Sequence, residues 1–272
     1  MSFAKLEFFN PFSRSIKDRA AFNMLLRAIE RGELNGTKRL FEASSGNTSI
    51  ALAALSNILG VEFRAYLPKP TPKSTMTLLR VLGAEVLLTD FETIDQKMVE
   101  FVKEEARKHG AANLNQFEND DNFDAHYRFT AREIEEQLKS IGRKPDVLIA
   151  GIGTSGHIAG IARYLKERYE TTVIGVVPAP GEKIPGIKPL QTGPKWVKDA
   201  KIDRVVEMTQ KEAVEGVVKV ARKDGLIIGL SSGAVVGAYE KLSEELDGTI
   251  VLVFPDDGFK YVEIFESHLG MT

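Results

Sequence analysis

Asp146-Val147-Leu148-Ile149-Ala150-Gly151-Ile152-Gly153-Thr154-Ser155-Gly156-His157 is the stretch from which the fold is read. The apolar run 146–150 suits a strand buried on both faces. The glycine-rich turn after it opens a helical pattern over 157–168, and a second apolar run follows at 173–178. Strand, turn, helix and strand are the repeat of a parallel α/β sheet with right-handed crossovers. The alternation extends both ways. Further strands are expected at 39–43, 62–67, 85–89, 226–229 and 249–254. Helices are expected at 15–31, 48–59, 73–82, 93–109, 121–140, 211–223 and 234–245. A polar stretch at 113–122 marks a domain junction, and 178–194 is irregular and dense in proline and glycine. A run that long inside a compact domain is more often functional than idle.

Composition narrows the classes. The 272 residues allow one large or two modest domains, and 43% hydrophobic with 27% charged residues excludes a wholly disordered chain. Lys and Arg number 36 against 38 Asp and Glu, so no basic excess drives nucleic-acid binding. The apolar runs fall far short of the ~20 residues of a membrane span. With no cysteine, disulfides, thiolate metal sites and cysteine nucleophiles are excluded. The first residues show no charged start with an apolar core, so no secretory leader is expected, and a cytoplasmic location fits.

Three turns combine the end of an expected strand with the start of a helix, where backbone N–H groups lack partners. Glu42-Ala43-Ser44-Ser45-Gly46-Asn47-Thr48 suits a carboxylate, 151–157 suits a phosphate, and Gly229-Leu230-Ser231-Ser232-Gly233 offers hydroxyls. In α/β sheets such turns lie at the carboxyl ends of the strands. Lys17 is expected in the first turn of a helix, with Ser15 and Asp18 spaced as a capping box. The field of a helix N-terminus favours the neutral, nucleophilic amine there. A nucleophilic lysine with a phosphate cradle, a carboxylate cradle and a hydroxyl loop together suit pyridoxal phosphate.

Two motif matches lead elsewhere. Gly151-x-Gly153-x-x-Gly156 matches the dinucleotide fingerprint, but the next strand ends Val176-Val177-Pro178 without the acid that fingerprint needs. Gly229-x-Ser231-x-Gly233 matches a nucleophile elbow, with Ser231, Asp256 and His268 in triad order. That reading leaves Lys17 and the first two loops without a role. The four histidines show no metal-ligand spacing, so no metal is expected.

Asn10-Pro11-Phe12-Ser13-Arg14-Ser15-Ile16-Lys17-Asp18-Arg19 resembles the Schiff-base segment of the cysteine synthase family, fold-type II pyridoxal phosphate enzymes related to cystathionine β-synthase and to serine and threonine dehydratases. Ser44-Ser45-Gly46-Asn47-Thr48, Gln116-Phe117-Glu118-Asn119, Gly153-Thr154-Ser155-Gly156, Gly229–Ala234 and Pro255–Tyr261 resemble further family motifs, in family order. The resemblance implies two αβα domains with mostly parallel sheets and the cofactor between them: a smaller domain over 11–120, and a larger phosphate-binding domain from 1–10 and 121–272. It implies that Lys17 forms the Schiff base and moves the α-proton. Asn47 contacts the ring's phenolic oxygen. Gly153, Thr154, Ser155, Gly156 and His157 hold the phosphate, and Ser231 faces the pyridine nitrogen. Ser44, Ser45, Asn47, Thr48 and Gln116 hold the substrate carboxylate, and closure of that loop gates the chemistry. The implied reaction makes L-cysteine from an activated serine and sulfide through an aminoacrylate, in a homodimer.

The sequence departs from the family in places. Only Met1–Phe9 precede the Asn-Pro motif, where the family has a longer stretch with a Thr-Pro-Leu signature. The first strand of the larger sheet is therefore expected to be missing, with 6–9 keeping the next. Ser49, Ser155, His157 and Lys260 stand where the family commonly has Gly, Gly, Thr and Arg. Ile184-Pro185-Gly186-Ile187-Lys188 resembles members that use O-phosphoserine, with Lys188 placed to pair with a substrate phosphate; O-acetylserine is the other donor. The alternatives are a dehydratase, a cystathionine β-synthase-like enzyme, and a non-catalytic binding protein that keeps the fold.

Overall fold

Eight strands, all in parallel pairings, are distributed between two sheets of the computed structural model, which describes residues 1–44 and 46–270. In chain order the elements are β1 (Ser2–Leu6), α1 (Lys17–Glu30), β2 (Arg39–Ala43), α2 (Asn47–Leu59), β3 (Glu62–Leu67), α3 (Lys73–Val81), β4 (Glu85–Leu88), α4 (Gln96–Lys108), α5 (Asp120–Ala125), α6 (Ala131–Lys139), β5 (Val147–Gly151), α7 (Gly156–Lys166), β6 (Thr172–Pro178), α8 (Val197–Ala200), β7 (Arg204–Met208), α9 (Gln210–Asp224), α10 (Leu230–Leu242), β8 (Ile250–Phe254) and α11 (Val262–Leu269). The chain divides into two compact units, Asn10–Asn122 and Met1–Phe9 with Phe123–Thr272.

The unit Asn10–Asn122 carries a three-stranded sheet in the order β2-β3-β4. Alternation along β2 and β3 sends side chains to both faces. Leu40, Phe63, Ala65 and Leu67 pack with Met24, Leu25, Ile50 and Leu52 of α1 and α2, while Phe41, Ala43 and Tyr66 pack with Met98, Val99 and Val102 of α4. In α1 the buried positions Ala20, Ala21, Met24, Leu25 and Ala28 recur at helical spacing. Gly60 ends α2 in the left-handed region at φ 66°, which only glycine adopts without strain.

The other unit carries a five-stranded sheet in the order β1-β8-β5-β6-β7. β5 and β8, VLIAG and IVLVF, are buried along their whole length, as central parallel strands require. α10 packs on this sheet, and α9 packs on α10. Their crossing is close because Gly216 and Gly233 face backbone: a Cβ at Gly233 would lie 2.0 Å from the Ala213 carbonyl oxygen.

Several expectations are corrected. The N-terminal strand is Ser2–Leu6, an edge strand paired with β8, and residues 7–9 form a 3-10 turn rather than a strand. Residues 226–229 form no strand. Ile228 makes a single antiparallel bridge to Asp257, and Gly229 N–H donates to the Asp256 carbonyl at 2.8 Å, so this short apolar run is a buried entry into α10. The second edge strand, β7, was not expected. Its outward residues Arg204 and Glu207 interrupt the apolar run by which a buried strand is recognised. The expected helix at 121–140 is broken by a π turn over His126–Thr130. Gly160 of α7 lies against that turn, where a Cβ would be 2.8 Å from the Tyr127 nitrogen. Among the described residues, no helix is long and apolar enough to cross a membrane.

Candidate active site

Lys17 is half-buried at the first position of α1. The expected capping box does not form. Ile16 occupies the cap position in helical conformation, with no side-chain cap bond. Asp18 turns back instead: its carboxylate accepts the N–H of Phe12 at 2.7 Å and of Ser13 at 2.9 Å, and also the Ser13 hydroxyl. An ionised carboxylate is the stronger acceptor, and the loop offers it two backbone donors at once. Ser15 Oγ accepts the Lys17 N–H at 3.1 Å. The backbone leading into Lys17 is therefore tied down at Phe12, Ser13 and Lys17 itself, and Arg14 within that stretch is held at φ 53°, a left-handed value costing a non-glycine residue about 1–3 kcal/mol.

The second cluster of this unit lies where β2 enters α2. Ser44 is buried, and its hydroxyl oxygen accepts the N–H of Gly46 at 3.2 Å and of Ser49 at 3.1 Å. Those bonds use its lone pairs and leave the hydroxyl proton to donate. Asn47 and Thr48 open α2. The Thr48 hydroxyl donates to Gln116 Oε1 at 2.6 Å, and Gln116 Nε2 donates to the Ala43 carbonyl at 3.0 Å. Two expected residues 68 positions apart are thus brought into direct contact. Ser45, also expected here, lies outside the described residues.

Glu42 supports this cluster and had no role in the sequence reading. It is 1% exposed, and its two oxygens accept the backbone N–H groups of Gln116 and Asn115, each at 3.0 Å. Burial pushes its carboxyl up to about 7, against the lowering effect of those amides. A signal was present: a carboxylate inside the apolar run Leu40-Phe41-Glu42-Ala43 needs partners wherever that run is buried.

The other unit holds the glycine loop. It leaves β5 and opens α7 at Gly156, so the first N–H groups of α7 face the loop. Thr154, Ser155 and His157 are buried. Ser155 sits at φ 71°, a left-handed value that explains why glycine suits this position. Its hydroxyl oxygen accepts the Trp196 N–H at 3.0 Å. His157 meets His126 of the π turn edge-on, with ring centroids 6.1 Å apart. The 184–188 segment lies directly on the loop. Lys188 N–H donates to the Ile152 carbonyl at 2.7 Å, and a Cβ at Gly153 would lie 2.6 Å from the Gly186 carbonyl oxygen. Gly186 also adjoins Ser231, the second residue of α10, which is 3% exposed. The hydrolase elbow is not built. Among the described residues no strand lies between α9 and α10 to lead into Ser231, the Asp256 carboxylate accepts the Tyr261 hydroxyl at 2.5 Å, and His268 is exposed on α11.

A family model described as pyridoxal-phosphate dependent enzyme matches residues 2–256. The chain belongs to that family. A cysteine synthase B of Pseudomonas aeruginosa is 36% identical over 262 residues, covering 95% of this chain and 86% of that protein. A cysteine synthase of Aquifex aeolicus is 38% identical over 271 residues, covering 95% and 81%. The solved O-acetylserine dependent cystathionine beta-synthase from Helicobacter pylori superposes with a TM-score of 0.89 at 30% identity, covering 96% of this chain and 88% of that one.

The residues present fit the family's cofactor. The glycine loop admits no side chain at Gly153, so backbone alone lines that point. Thr154 and Ser155 add hydroxyl donors beside the N-terminus of α7, which is the donor set a phosphate needs. Ser231 offers a buried neutral hydroxyl, suited to an unprotonated ring nitrogen.

Proposed function

We propose that this chain is a pyridoxal-phosphate-dependent cysteine synthase that replaces the β-substituent of an activated serine with sulfide. The Thr48–Gln116 contact carries the reading. It uses the Thr48 hydroxyl proton to orient Gln116 beside the N-terminus of α2, and the second hydrogen of Gln116 Nε2 is then a donor suited to an amino-acid carboxylate. The named relatives, which cover 95% of the chain, support the same reaction class.

Bound pyridoxal phosphate supplies an electron sink for the substrate's α-carbon. The chain's residues do the rest. Lys17 Nζ carries the cofactor, then takes the α-proton and returns it. The backbone of 153–157 and the hydroxyls of Thr154 and Ser155 bind the phosphate, with His157 beside them. Asn47 donates to the ring's phenolic oxygen. Ser231 keeps a neutral partner at the ring nitrogen, which favours loss of the β-substituent over transamination. Ser44, Thr48 and Gln116 hold the substrate carboxylate, and Ser45 is assigned to it with them. The substrate's Cβ–O bond breaks, its oxygen leaves with the phosphate or acetate, and a sulfide lone pair forms the new C–S bond. Lys188, tethered to the carbonyl just before Gly153, meets the leaving phosphate of O-phosphoserine as a point charge. We place the reaction in the cytoplasm and in a homodimer.

The test is L-cysteine formation by the holoenzyme from O-phosphoserine or O-acetylserine with sulfide. Cysteine from either donor supports the reading. Pyruvate released from serine without sulfide, and no cysteine from either donor, would assign a dehydratase instead. Cystathionine formed from homocysteine in preference to cysteine from sulfide would assign the activity named for the Helicobacter pylori structure.

A further inference from the structure

Glu42 is buried in β2, and none of the steps above uses its charge. An apolar residue at that point of the strand would escape the desolvation cost of a carboxyl but would leave two amide N–H groups without their acceptor. What the carboxyl does instead is clamp two consecutive amides. Oε1 accepts the Gln116 N–H and Oε2 the Asn115 N–H, each at 3.0 Å, and Asn113 Nδ2 lies 3.4 Å from Oε2. The line continues through the Gln116 side chain. Its Nε2 donates to Ala43, the residue after Glu42, and its Oε1 accepts the Thr48 hydroxyl. Carboxyl, backbone, amide and hydroxyl form one hydrogen-bonded chain inside a single compact unit.

We propose that Glu42 is a positioning residue: its two oxygens hold the 115–116 backbone so that Gln116 and Thr48 meet the substrate carboxylate in a fixed arrangement. The proposal rests on the reading of Thr48 and Gln116 as carboxylate-binding residues. Glu42→Gln tests it, because glutamine keeps the volume but offers one acceptor, and its NH2 then faces a backbone N–H. Glu42→Asp keeps the charge and withdraws it by one methylene. With holoenzyme of each variant, KM for the serine substrate rises about tenfold or more. KM for sulfide and the cofactor content per chain stay at the unchanged enzyme's values. Gln116→Ala raises the same KM, and the double variant with Glu42→Gln is no worse than Gln116→Ala alone.

A purely structural carboxyl would behave differently. It would lower kcat in step with cofactor content and leave KM for the serine substrate alone. That result overturns the proposal, as does failure of both Glu42 variants to fold, or additive losses in the double variant. If the unchanged enzyme forms no product from a serine derivative, the functional reading fails first and the inference with it. If the unchanged enzyme is active and the variants keep its KM, the inference alone fails.

Discussion

Lys17 begins a helix whose preceding loop is tied by the Asp18 carboxylate and the Ser15 hydroxyl. Such anchoring is what a group that must return a proton to one carbon requires. Lys17→Ala is expected to lose the cofactor's protein-bound visible band and to lower cysteine formation by roughly 10³-fold; an unchanged spectrum would remove Lys17 from the chemistry. Lys188→Ala is a test of donor choice. Its loss should cost O-phosphoserine use about 10–100-fold, the worth of one charge-assisted contact, and leave O-acetylserine use nearly intact. Equal losses, measured as kcat/KM, would refute the phosphate contact. At this scale the sequence was informative where chemistry is local. Lys17, Asn47 and Thr48 all stand at helix starts, as their motifs indicate. Glu42 is marked in the sequence only as a carboxylate inside an apolar run; its role is not legible there, because its partners are 73 and 74 positions away.

The elements carry these residues to their places by packing. Ser231 stands at the start of α10, and α10 is set by its crossing with α9. That crossing has no room for a side chain: a Cβ at Gly216 would lie 2.2 Å from the Gly233 carbonyl oxygen. Gly216→Ala is therefore expected to destabilise the chain by about 3 kcal/mol, read as a lower denaturant midpoint. A change below about 0.5 kcal/mol would show that the helices separate freely. The same crossing shows what patterning reveals. The strand-turn-helix units around β2 and β5 were legible because uninterrupted apolar runs end in glycine turns. β7 was not, since an edge strand mixes outward charges with inward Val206 and Met208. Residues 226–229 form the entry into α10 rather than the expected strand, and a short apolar run suits either equally. The π turn at His126–Thr130 depends on the approach of Gly160, which lies 30 and more residues further along.

At the scale of the whole molecule, Glu42 links the site to stability. Its folded-state carboxyl sits at about 7, above the ordinary 4.5, so between those values the folded chain binds a proton that the unfolded chain has released. Stability is thus expected to fall as pH rises through this window, by about 3 kcal/mol in total from this group. Glu135, Glu167 and Glu212 have carboxyls held below the usual range, chiefly by hydrogen bonds from Tyr169, Tyr127 and Lys241, and their effect has the opposite sign at lower pH. Urea midpoints at pH 5 and pH 8 measure the Glu42 contribution, and Glu42→Gln should flatten the difference; an equal slope in the variant would assign it to other groups. The proposed reaction needs bound pyridoxal phosphate and an activated serine. The most direct measurement is the near-ultraviolet and visible absorbance of the purified holoenzyme, before and after O-phosphoserine and O-acetylserine, then after sulfide. The account predicts a cofactor band that one donor shifts and sulfide restores as L-cysteine appears. A protein that shows no such band even after pyridoxal phosphate is added, or whose band neither donor moves, would contradict it.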